Sequence, residues 1–151
     1  MNEAFPAPLN RDLPATRERY VVCLGLGYSA RALVSRIRDR ATEIVGTTRS
    51  EEKADDLCRS GIRGLVFDGS RGGAALAGAI RSATHILVSA APNAEGDPFL
   101  NRFERDVAHA ERLEWIGYLS TVGVYGDHGG AWIDERAACR PTNDRGEWRL
   151  E

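Results

Sequence analysis

The stretch Val21–Leu33, VVCLGLGYSARAL, decides how the chain reads. It opens on a short, continuously apolar run rich in valine, as in a strand buried on both faces. Gly25, Leu26, Gly27, Tyr28, Ser29 and Ala30 follow in the pattern G-x-G-x-x-A. Ala30, Leu33, Val34 and Ile37 then recur at helical spacing, with arginines on the other face. Two readings fit such a strand–turn–helix. In one, the small residues serve only packing. In the other they form a phosphate cradle: the first permits a sharp exit from the strand, the second lets backbone approach a pyrophosphate, and the third lets helix and strand pack closely. The helix then offers free N–H groups, here those of Tyr28 and Ser29, and the positive end of its dipole.

The context on either side favours the cradle. Apolar strand patterns at 20–26, 43–48, 64–69, 85–92 and 115–121 alternate with helical patterns at 29–41, 50–61, 72–83 and 97–113. In the second helix Ser50 suits the N-cap, Glu51 and Glu52 suit the positive end, and Gly61 suits the stop. In the fourth, Pro98 suits the first turn. Beyond Gly123 the chain is polar and glycine-rich until RGEWRLE, which opens another helical pattern. The expected fold class is α/β: a Rossmann-like, doubly wound parallel sheet of about five strands flanked by helices. The expected organisation is a flexible arm over 1–19 and a dinucleotide-binding domain over 20–151. On this reading the domain breaks off before a sixth strand and a substrate domain.

Composition narrows the partners. A net charge of −2 gives nucleic acid or an anionic membrane no purchase. No run approaches the roughly 20 apolar residues of a membrane span, and the N-terminus has no apolar signal core. Cys23, Cys58 and Cys139, like His85, His109 and His128, are scattered without metal-ligand spacing, so no metal site is expected. Three unpaired cysteines fit a reducing, cytoplasmic setting. All but one of the 20 basic side chains are arginine, the exception being Lys53.

The tip of the second strand bears on the choice of cofactor. An acid there would accept hydrogen bonds from a ribose 2′-hydroxyl. The sequence instead reads Thr48, Arg49, Ser50, with Arg49 placed 24 residues after Gly25. Arginine can pair with a 2′-phosphate, and the two hydroxyls can add donors. NADP is therefore favoured over NAD, with Glu51 and Glu52 near enough to keep NAD open.

The segment YLSTVGVYGDHGGAWIDE at 118–135, taken with the Gly25 loop, resembles the extended short-chain dehydrogenase/reductase superfamily. That superfamily includes NAD-dependent epimerases and dehydratases acting on nucleotide-sugars. The likeness rests on a strand ending in Ser/Thr followed by Val124-Tyr125-Gly126, and it covers about residues 20–151. It implies phosphate-loop roles for Gly25, Gly27 and Ala30. Asp68, with Gly69 beside it, would contact the adenine. Ala90, Ala91 and Pro92 would line the cofactor. Thr121 would hydrogen-bond a substrate hydroxyl or carbonyl.

One element departs from the superfamily pattern. It moves a proton with the tyrosine of Y-x-x-x-K, and a phenol near pKa 10 needs that lysine to act as a base. No Y-x-x-x-K occurs in these 151 residues. Arg145 stands in the tyrosine position and Arg149 in the lysine position of the aligned stretch. Arginine stays protonated and is no general base. Arg149 could still hold a ribose or a phosphate, whereas Tyr125 and His128 are not assigned as replacements. Three readings follow: an epimerase-like or oxidoreductase protein with a small-molecule substrate such as a nucleotide-sugar; a redox-inactive NADP(H) sensor or scaffold; or an incomplete sheet that self-associates along its open edge.

Overall fold

A computed structural model describes residues 18–69 and 73–150. The expected arm lies outside the described residues as far as residue 17, but its last two positions already belong to the fold. The Arg19 N–H donates to Thr42 Oγ1 at 3.1 Å, and Glu18 pairs with Arg112 at 3.2 Å.

Five strands form one parallel sheet in the order β3-β2-β1-β4-β5: β1 Tyr20–Leu24, β2 Glu43–Thr48, β3 Arg63–Val66, β4 His85–Val88 and β5 Trp115–Tyr118. The crossovers are α1 (Tyr28–Ile37), α2 (Glu51–Arg59), α3 (Gly73–Ser82) and α4 (Leu100–Ala108); a short α5 (Asp144–Glu147) follows β5. Every expected strand and helix is present, which bears out the α/β reading. Except for β2, the strands end earlier than the apolar runs do. β4 stops at Val88 because the Ser89 and Ala90 N–H groups both donate to the Leu24 carbonyl, curling the chain out of the ladder.

Strand alternation sorts the core into two layers. Val22, Leu24, Val45, Ile86 and Val88 face α3 and α4, where Phe67, Phe99 and Phe103 cluster with ring centroids 4.6 and 5.3 Å from Phe67. Val21, Cys23, Ile44 and Leu87 face α1 and α2, packing on Ala30, Val34 and Leu57. Close approach depends on small residues. A Cβ on Gly64 would collide with the Ala54 backbone carbonyl, so α2 lies directly on β3.

Helix ends follow the chemistry of their residues, with two differences from expectation. α2 stops at Gly61, whose φ of +78° permits a paired cap: Ile62 N–H to the Leu57 carbonyl and Gly61 N–H to Cys58, both 3.0 Å. Its N-cap is Ser50, but the hydroxyl makes no capping bond; only the Ser50 carbonyl joins the helix, accepting from Ala54 N–H. α4 is capped ahead of Pro98 by Asp97, whose Oδ1 accepts from the N–H groups of Phe99 (2.8 Å) and Leu100 (3.0 Å).

One side-chain bond ties the β1–α1 turn to the sheet. The buried Thr47 hydroxyl accepts the Gly25 N–H at 2.6 Å, and the Leu26 N–H donates to the Thr47 carbonyl at 2.9 Å. Thr47→Val keeps the shape but strands that N–H, and should lower unfolding free energy by about 1–3 kcal/mol in urea. Gly64→Ala should cost a similar ~1–3 kcal/mol by overpacking, seen as a lower midpoint at unchanged m-value. Burial pushes the Cys23 thiol from 9.0 up to about 11. Between those values the unfolded chain binds fewer protons than the folded one, so Cys23's contribution to stability is full below pH 9.0 and lost toward about 11. Under native conditions iodoacetamide should label Cys58 and Cys139, both exposed, and spare Cys23. Mass spectrometry of the labelled chain checks the pattern.

Candidate dinucleotide site

The order β3-β2-β1-β4-β5 places a switch point between β1 and β4, whose connections leave in opposite directions. Open α/β sheets bind ligands there, outside the carboxyl ends of the strands. At that point Gly25 turns with φ +87°, and a Cβ on it would lie 2.8 Å from the Ala90 backbone nitrogen. The first glycine is therefore required by backbone crowding. Gly27 is different, because a Cβ there would meet nothing within 4 Å. It is the N-cap of α1, its φ is −83°, and no side chain caps the helix. The first N–H groups of a ten-residue helix thus face open space beside a residue without a side chain. Ala30, fully buried, lets α1 settle on the sheet. The loop fits a dinucleotide pyrophosphate by shape and by its donors.

The remaining sequence-derived positions lie at this same carboxyl end of the strands. Thr48 and Ser50 are half-buried and Arg49 is exposed at the tip of β2. Asp68 and Gly69 follow β3, with Gly69 at φ +102°. Ala90 and Ala91 follow β4 and are at least partly accessible, while Pro92 is buried and offers shape rather than surface. Tyr28 is 93% exposed and Ser29 is exposed as well.

Thr121 lies just past β5, and its Oγ1 accepts the Gly123 N–H at 3.2 Å to start a 3-10 turn over Val122–Tyr125. The hydroxyl proton is left for another partner. Gly126 has φ +76°, and a Cβ there would strike the Arg140 carbonyl, so the V-Y-G turn allows residues 140–142 to cross close by. Gly146 of α5 sits equally close to Pro141 and to the Gly123 carbonyl. Together these approaches fix α5 beside the Thr121 turn. His128 Nε2 lies 3.1 Å from the Tyr125 carbonyl and is held there.

The two arginines of the aligned Y-x-x-x-K stretch fall in different settings. Arg145 is exposed on α5. The Arg149 guanidinium donates to the Leu119 carbonyl and stacks 5.5 Å from the Tyr118 ring centroid. The Tyr118 phenol is raised above its ordinary value, by burial first and by the Asp97 carboxylate second, against the lowering effect of Arg149. It holds its proton at neutral pH. Thr47 and Asp97, one tying the turn and the other capping α4, escaped the sequence reading. A threonine at a strand end and an aspartate three residues before the start of a helix carry no signal of their partners.

A concavity of about 500 Å³ opens at the opposite, N-terminal end of the strands, lined in part by Tyr20, Glu43, Arg63 and Arg112. Glu43 and Arg63 pair across it at 3.3 Å, at the end of the sheet away from the Gly25 loop. Among the described residues, no group of three His, Cys, Asp or Glu could hold a metal, and no helix is long and apolar enough to cross a membrane.

No family model and no curated protein matches the chain. Solved structures do. A conserved protein of unknown function from Silicibacter pomeroyi is 37% identical, with a TM-score of 0.73 over 86% of this chain and 45% of its own. A proposed NAD-dependent epimerase/dehydratase from Methylobacillus flagellatus matches at 20% identity and TM-score 0.70, over 89% and 48%. A proposed epimerase from Burkholderia cenocepacia J2315 matches at 22% and 0.64, over 87% and 47%. The chain spans about half the length of these structures. Its fold is the Rossmann-like α/β fold, and its structural neighbours include epimerase/dehydratase-like proteins, in agreement with the resemblance carried by its own motifs.

Proposed function

We propose that this chain binds a nicotinamide dinucleotide at the Gly25 loop, as the cofactor domain of an epimerase/dehydratase-like protein. One observation carries the reading: Gly25 is demanded by crowding, whereas Gly27 is demanded by nothing in the protein and leaves room where a pyrophosphate would lie. Gly25, Gly27, Ala30 and the Tyr28 and Ser29 N–H groups would hold the phosphates. Asp68 and Gly69 would meet the adenine, and Ala90, Ala91 and Pro92 would shape the nicotinamide side. Thr48, Arg49 and Ser50 favour NADP over NAD. When bound, the dinucleotide supplies hydride chemistry. Thr121 would orient the hydroxyl or carbonyl of a small substrate, a nucleotide-sugar being one fit, by donating its free proton. Free thiols suit a cytoplasmic protein, and the exposed Trp115, Ile116 and Tyr118 of edge strand β5 suit self-association.

A second reading has its own support. Arg149 is committed to the Leu119 carbonyl and Tyr118, and Tyr118 keeps its proton, so neither supplies a base. Binding without turnover, as in a sensor or scaffold, fits these facts.

Tryptophan fluorescence and thermal melting with NADPH and NADH test the cofactor. NADPH at 100 times its Kd should add about 2.7 kcal/mol of stability. Gly27→Val should cost the unliganded protein about 1 kcal/mol, the loss of a favourable N-cap residue, and no more, because a Cβ there meets nothing within 4 Å. The same change should abolish the NADPH response. Retained binding in Gly27→Val would remove the loop from the proposal.

A further inference from the structure

The concavity at the N-terminal end of the strands has an open apolar wall, and the chain enters the fold beside it. Val22 and Val45 line it from the sheet, and Ala75, Gly78 and Ala79 line it from α3. Leu76 and Ile80 of the same helix are fully buried in the core. The neighbouring flank is not: Ala75 is exposed, Gly78 and Ala79 are half-buried, and a Cβ on Gly78 would meet nothing within 4 Å. Thus α3 has one packed face and, next to it, a shallow alanine–glycine flank left open.

Tyr20 and Arg112 stand at the edge of this concavity. The Arg112 guanidinium lies 5.1 Å from the Tyr20 ring centroid and pairs with Glu18 at 3.2 Å. That pair holds the start of the described chain at the concavity, with residues 1–17 preceding it. A stretch of that length reaches about 55–60 Å when extended, against about 15 Å for the length of α3. From Phe5 to Thr16 it reads FPAPLNRDLPAT, with Phe5, Leu9 and Leu13 as large apolar side chains and Arg11 and Asp12 cancelling in charge. Pro6, Pro8 and Pro14 bring no N–H, so fewer donors would be left unpaired against a wall of alanine.

We infer that residues 5–13 of this chain dock along the α3 flank of the concavity, with Phe5, Leu9 and Leu13 set against its small residues. Docking would cover the open side of α3 and tie the start of β1 to the crossover between β3 and β4. No part of this rests on dinucleotide binding.

Photo-cross-linking of the full chain with p-benzoylphenylalanine in place of Leu9 tests the assignment. Mixing isotope-labelled and unlabelled chains separates links within one chain from links between two. The expected product is a link within one chain to the peptide spanning α3, Gly73–Ser82. Links between chains, links only to other surfaces, or no link at all would overturn the proposal. Hydrogen exchange gives an independent readout. The variant Leu9→Asp/Leu13→Asp should speed exchange of the α3 amides by about tenfold and leave α1, on the other face of the sheet, unchanged. Exchange in α3 that matches wild type, or equal acceleration in α1 and α3, would overturn it as well.

Discussion

The bond from the Gly25 N–H to the buried Thr47 hydroxyl sits where the chain has least freedom. β1 lies between β2 and β4, so the peptide that leaves it must turn in the gap between two neighbours. The turn takes φ +87° at Gly25 and leaves no room for a side chain against Ala90. Its N–H points into the structure, where an unpaired donor costs roughly 1–3 kcal/mol. Thr47 answers from the adjacent strand. The Leu26 N–H then bonds the same residue's carbonyl, and α1 starts two residues later in a fixed direction. The position of every free N–H at that helix end follows from this one anchored turn.

The two core layers hold the anchored turn in a rigid frame. Sheet faces alternate residue by residue, so Val21 and Cys23 support α1 while Val22 and Leu24 support the phenylalanine cluster under α4. Glycines at Gly46 and Gly64 let Leu26 and α2 lie directly on the strands. The consequence for function is geometric: the loops after β1, β2, β3, β4 and β5 all leave from one end of a sheet whose register is set by burial on both faces.

Much of this was legible in the chain because periodicity reports burial directly. Runs such as YVVCL and HILV, short and set between helical patterns, read as strands covered on both sides, and the Gly-x-Gly turn marks where the first strand gives way to a helix. Element ends were less legible. Ser89 and Ala90 look like strand, yet their N–H groups share the Leu24 carbonyl, a tertiary choice invisible to pattern. Ser50 carries the right chemistry for a side-chain cap and does not use it, whereas Asp97 caps α4 from beyond a proline. Thr47 reads as one more β-branched residue until its neighbour in space is known.

Binding and chemistry make unequal demands on such a fold, and that inequality explains how one could persist without the other. The proposed phosphate recognition would draw on backbone N–H groups, an absent side chain at Gly27 and a helix end, all fixed by the fold itself. Proton transfer needs a side chain whose pKa lies near the working pH. Arginine at Arg145 and Arg149 cannot supply one. Tyr118 is moved the wrong way, since burial and Asp97 outweigh Arg149 and hold the phenol protonated. The Arg149 guanidinium reaches the Leu119 carbonyl and the Tyr118 face, and so braces the end of β5 just ahead of the Thr121 turn. In the proposed site Arg149 would act through the backbone it holds, and a proton carrier for any reaction at Thr121 would have to come from the substrate or from groups other than Tyr118 and these two arginines.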